Sequence, residues 1–104
     1  MAFTGKENHS VSLAEASSQT SAFRNKAAEG AVIGGFFGRD ALKKVLDQTD
    51  CIGIRYYYAE KEDGTPTLVI AGVNKDGNDI EQGELLEFSY PCPPFCSNSN
   101  SLNS

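Results

Sequence analysis

The sequence predicts an α+β fold in which two N-terminal helices pack on one face of a small antiparallel three-stranded meander. Three observations lead there. Apolar residues recur at steps of three and four as far as about residue 48, and then switch to alternation. The later runs "CIGIRYYYAE", "TLVIAGV" and "ELLEFSY" are separated by "KEDGTP" and "NKDGND", which carry turn chemistry and join neighbouring strands as hairpins. Helices first and consecutive strands afterwards segregate the helices to one side of an antiparallel sheet.

Residues 1–11 show no periodicity and are expected to form a flexible arm. Ser12 and Glu15 then stand at capping-box spacing, where a hydroxyl and a carboxylate satisfy orphan amides at a helix start. Leu13, Ala16, Thr20, Phe23 and Ala27 continue as a thin helical stripe, and Gly30 is placed to end it. In "AVIGGFFGRD" the glycines make a joint. Phe36 and Phe37 are adjacent, so one is expected in the core and the other at a partner surface. "GRDALKKVLDQ" predicts a helix over residues 38–48, with Ala41, Leu42, Val45 and Leu46 on its apolar face. Asp40 suits its positive N-terminal end.

In the first strand Ile52, Ile54, Tyr56 and Tyr58 alternate with Gly53, Arg55, Tyr57 and Ala59, the period of a half-buried strand. Tyr57 therefore points away from its two tyrosine neighbours and is a candidate partner contact. In the third strand Leu86, Phe88 and Tyr90 share a face. One α+β domain is expected over 12–96. Ser97–Ser104 is Ser, Asn and a single Leu, a composition too poor in apolar surface to offset ordering entropy, so disorder is expected there.

Composition narrows the function classes. With 104 residues the chain has the size of one small domain. Nine Lys+Arg against fourteen Asp+Glu leave a net charge of −5, and the basic residues are scattered. That pattern offers no footprint for nucleic acid or an anionic membrane surface. No stretch approaches the ~18 apolar residues of a membrane span. The opening "MAFTGKENHSVS" lacks the charged-then-apolar layout of a signal peptide, so a cytoplasmic location is expected. Three cysteines, an odd number, argue against a disulfide framework.

Catalytic signals are weak. The one histidine, His9, lies in the arm, far in sequence from any nucleophile it would have to activate. Asn74, Asp76 and Asn78 have the opening spacing of a calcium loop, but Asp79 and Leu85 stand where Gly and a bidentate Glu are required. "GGFFG" lacks the spacing and the lysine of a phosphate loop. The cysteines say more. Cys92 and Cys96 have zinc-type spacing, and Cys51 offers a third ligand. An extended Pro-Pro path rises ~3.1 Å per residue, which would hold Cys92 and Cys96 ~12 Å apart. A disulfide tolerates at most ~7 Å between Cα atoms. "YPCPPFC" is thus expected first as a stiff strap, second as part of a metal site and third as a disulfide.

The three-cysteine arrangement resembles A-type iron–sulfur carriers, which pair one mid-chain cysteine with two near the C-terminus; their closing pair is Cys-Gly-Cys, whereas this chain has "CPPFC". The pattern "GIRYYYAE…TLVIAGVNKDGND…YPCPPFC" resembles a family of small uncharacterised bacterial proteins over residues 34–96. That resemblance supports the domain limits and implies no catalytic or binding residues. The expectation from sequence is a non-catalytic binding or adaptor module. It needs no cofactor, takes another protein as partner, and meets it through Phe36, Phe37 or Tyr57. The alternative is a zinc or iron protein using Cys51, Cys92 and Cys96.

Overall fold

Ser12 starts the first helix as its spacing predicts: its Oγ accepts the Glu15 amide at 3.1 Å. The computed structural model describes residues 2–104 and carries, in order, α1 (Leu13–Lys26), β1 (Gly34–Phe36), α2 (Arg39–Leu46), β2 (Gly53–Glu60), β3 (Pro66–Val73), β4 (Leu85–Leu86) and β5 (Tyr90–Cys92). The class is mixed α+β. The strands form two antiparallel sheets, β2-β3-β4 and β1-β5, and the chain divides into two compact units. One consists of Met1–Glu7 with Phe37–Ser89, the other of Asn8–Phe36 with Tyr90–Ser104.

In the first unit β2 and β3 pair from Gly53↔Val73 to Glu60↔Pro66. Their turn closes when Lys61 O accepts the Gly64 amide and the Lys61 amide donates to Thr65 O, both at 2.9 Å. Gly64 holds φ at +87°, a left-handed value that glycine adopts without a Cβ penalty. β4 extends the sheet through Ile70↔Leu86 and Ala71↔Leu85. Gly72 identifies the face that α2 covers. A Cβ added there would lie 2.8 Å from Gln48 Nε2, 3.0 Å from Cys51 Sγ and 3.4 Å from Val45 Cγ1. Leu68, Ile70 and Gly72, with their register partners Tyr58, Tyr56 and Ile54, therefore share the helix side of the sheet. The core is small: Val45 is 0% exposed and Ile70 is buried on the same helix side, while Ala71 and Val73 are buried on the other side of the sheet.

Four expectations change. First, α2 alone is the sheet's helix within this unit, and α1 belongs to the other unit, where it buries none of its side chains. The stripe on α1 is mostly Ala and Thr, and its two large members, Leu13 and Phe23, stay exposed. Second, "ELLEFSY" is not one strand. Phe88 adopts φ +56°, which breaks the extended run after β4, and Tyr90 opens β5 instead. β5 pairs with β1 as Gly34↔Cys92, Gly35↔Pro91 and Phe36↔Tyr90, so the glycine joint is itself a strand.

Third, the N-terminal arm is hydrogen-bonded. The Phe3 amide reaches Lys75 O at 2.9 Å, and Glu7 accepts the Thr4 and Gly5 amides at 2.8 and 2.9 Å. Fourth, the Ser/Asn tail is folded. Asn103 Nδ2 donates to Ser97 O and Asn98 O, while Arg24 of α1 donates from Nη1 to Leu102 O at 2.6 Å and from Nη2 to Ser104 O at 3.2 Å. Local side-chain bonds of Asn and Ser order this segment without apolar burial. Among the described residues no helix is long and apolar enough to cross a membrane.

Candidate functional site

In the second unit the pairing of Phe36 with Tyr90 puts two rings side by side, their centroids 6.1 Å apart and tilted by 36°. Phe95 joins from beyond the strand, 5.3 Å from Tyr90. The three rings remain 58%, 57% and 59% exposed for Phe36, Tyr90 and Phe95. The segment under them is tied back on itself. Cys92 and Cys96 form a disulfide with Cα atoms 4.7 Å apart, the Phe95 amide donates to Pro91 O at 2.8 Å, and the Cys96 amide donates to Pro94 O at 3.0 Å.

The disulfide corrects the order expected from sequence, which placed it last. An extended Pro-Pro path would separate the cysteines, but the Cys92-Pro93 and Pro93-Pro94 bonds are both cis and the path folds back. The same bond removes two thiolates from the zinc or iron site of Cys51, Cys92 and Cys96. Cys51 lies in the first unit, is free, and donates its thiol to Gly53 O at 3.2 Å. Among the described residues no cluster of three or more His, Cys, Asp or Glu side chains is arranged to hold a metal ion.

The first unit has a separate polar array on the sheet side opposite α2. Arg55 and Tyr57 alternate onto that side of β2, and Asp79 meets them from the turn after β3, where it bridges Val73. Arg55 Nη1 lies 2.6 Å from Asp79 Oδ1 and 3.1 Å from Gly77 O, and the Tyr57 hydroxyl donates to Asp79 Oδ2. The Tyr57 hydroxyl and the Arg55 guanidinium hold the Asp79 carboxyl below the usual carboxylate range. The Asp79 carboxylate in turn raises Tyr57 above the ordinary phenol value. Toward the hairpin end Thr67 Oγ1 contacts Glu87 Oε2 at 3.1 Å and Ser89 Oγ at 3.0 Å, and Lys61 Nζ donates to Ser89 O at 3.2 Å. These groups hydrogen-bond to one another along that side of the sheet.

Of the residues expected at a partner surface, Phe36 is exposed within an aromatic group and Tyr57 is exposed with its hydroxyl engaged. Phe37 is half-buried in the first unit, so neither member of the Phe-Phe pair is a core residue. Sequence reasoning missed Tyr90 and Phe95 as partners of Phe36. Their signal lies in "YPCPPFC", which the expected stiff strap does not bring to Phe36. It also missed Tyr58, at 85% the most exposed of the tyrosines. No family profile, curated protein or solved structure matches this chain.

Proposed function

We propose that this chain is a non-catalytic binding module that takes another protein as its partner and meets it through Phe36, Tyr90 and Phe95. The observation that carries this reading is a row of three rings, Tyr90 packed against Phe36 on one side and Phe95 on the other, each more than half exposed, with the loop that carries Phe95 closed by the Cys92–Cys96 bond. Aromatic side chains bring large contact area with few rotatable bonds, so holding them in place before binding lowers the ordering cost of association. They are also the residue types that dominate interface energies. Catalysis is disfavoured here because the platform offers Phe, Tyr and an oxidised cysteine pair but no paired acid and base. A closed disulfide favours a compartment in which such bonds persist, over the cytoplasmic location expected from the sequence.

The test is retention of a partner protein on immobilised full-length chain, followed by mass-spectrometric identification. The partner is expected to be lost when Phe36→Ala and Phe95→Ala are combined, and kept by Lys44→Ala on the exposed side of α2. A partner retained equally by all three proteins overturns the assignment of the surface.

A further inference from the structure

β2 is the terminal strand of its sheet, and its hydrogen-bond phase decides which backbone groups remain open. The Lys61 amide donates to Thr65 O across the hairpin. In an antiparallel ladder residues bond alternately to either side. Ala59, Tyr57, Arg55 and Gly53 therefore direct their N–H and C=O groups to β3, as their register with Thr67, Val69, Ala71 and Val73 requires. Ile54, Tyr56, Tyr58 and Glu60 direct theirs to the open edge.

The side chains of Ile54, Tyr56 and Tyr58 are also exposed, so the open edge is apolar where it is unpaired. Natural edge strands are commonly protected by shortness, proline, bulges or charge. The opposite edge, β4, is only two residues long and ends near the left-handed Phe88. β2 has eight residues with no proline, and between Gly53 and Ala59 its one charge, Arg55, is engaged by Asp79. In a chain with fourteen acidic residues, this edge carries a single one, Glu60 at its end.

We infer that β2 pairs antiparallel with β2 of a second copy of this chain, across a two-fold axis at Tyr56, to make one continuous six-stranded sheet. The sequence of the edge is complementary to itself in that register. Tyr56 faces its own symmetry mate, Ile54 faces Tyr58 of the second copy, and Gly53 faces Ala59. On the other side of the sheet Arg55 faces Tyr57, which allows a cation–π contact and opposes no like charges. Shifting the axis to Tyr57 would place Glu60 against Ile54. In the Tyr56 register Ile54, Tyr56 and Tyr58 face only one another, and Glu60 falls opposite Ile52, just before the start of β2. The inference uses none of the residues in the proposed partner platform.

Sedimentation of the full-length chain tests it. The expected mass is twice 11.2 kDa, falling toward one chain on dilution. Tyr56→Lys puts two ammonium groups face to face at the axis and is expected to leave a single-chain mass with the parent circular dichroism spectrum. Tyr56→Pro is a second route: it removes an outward N–H and leaves the β2–β3 ladder untouched. Phe36→Ala with Phe95→Ala is expected to remain dimeric, which separates failure of this inference from failure of the partner surface. Amide exchange gives a third readout, concentration-dependent protection of Ile54, Tyr56 and Tyr58. A single-chain parent, a dimer that persists in folded Tyr56→Lys, or amides of Ile54, Tyr56 and Tyr58 unprotected at high concentration each overturns the inference.

Discussion

Arg55 on β2 and Asp79 in the turn after β3 form an ion pair with Nη1 and Oδ1 2.6 Å apart, and Tyr57 donates to the other carboxylate oxygen. One carboxylate thus ties two residues of an edge strand to a turn that the sequence separates from them. The pair is partly exposed, so its Coulombic part is screened by water and salt. Its main effect is to hold the turn against the sheet.

Acid should loosen that connection first. The Asp79 carboxyl is depressed by Tyr57 and Arg55, so its stabilising contribution is full above the ordinary Asp value of about 3.9 and is lost as pH falls through the lower folded value. Tyr57 is raised, so its contribution is full below about 10 and is lost as pH climbs through the higher folded value. Thermal melts against pH should show both limbs. Asp79→Asn should flatten the acid limb, and Tyr57→Phe should flatten the alkaline one. Equal acid limbs in Asp79→Asn and parent would refute the assignment.

The helix and sheet of the first unit meet at Val45, the side chain with no exposure. Val45→Ala deletes two methyl groups and leaves a cavity, a loss of about 2–3 kcal/mol in denaturant unfolding. Gly72→Ala should cost about 1–3 kcal/mol for the opposite reason, because its Cβ would press on Gln48, Cys51 and Val45. Parent-like unfolding of both variants would place the core elsewhere.

Thiol counting checks the disulfide. Unfolded but unreduced chain should show one reactive thiol, Cys51, and reduction should raise the count to three. Opening so short a loop should cost roughly 2 kcal/mol of chain-entropy stabilisation. Three thiols before reduction, in protein purified without reductant, would contradict the closed loop.

Arg24 links α1 to the tail through exposed hydrogen bonds, each worth about 1 kcal/mol or less. Arg24→Ala and removal of Ser97–Ser104 should therefore have the same small effect, with faster amide exchange in the last turn of α1. If truncation leaves that exchange unchanged, the tail contributes no order to the helix.

The locally encoded parts of this fold were legible in the chain. Ser12 and Glu15 mark a helix start, the Ala41-Leu42-Val45-Leu46 face marks α2, and the alternation around "GIRYYYAE" marks β2. Alternation alone did not say which side would be covered. The apolar side, with Ile54, Tyr56 and Tyr58, faces a helix of eight residues that is too short to hide it. The candidate platform was less legible because Phe36 meets Tyr90 only through long-range strand register, which local periodicity does not encode. Asp79 was hidden similarly: a turn carboxylate gains a role only when the hairpin returns it to Arg55 and Tyr57.

The β1–β5 ribbon also sets an order of events during synthesis. Gly34 can pair only once Cys92 has emerged from the ribosome, whereas the β2–β3 hairpin needs only its own near neighbours. The hairpin can therefore form while β1 still lacks its mate, and the segment carrying Phe36 waits as an unsatisfied strand in the nascent chain. Non-local pairing of this kind is slow because loop closure must precede its reward. A translation pause placed between Ser89 and Tyr90 would prolong the interval in which Phe36 is available to the wrong strand.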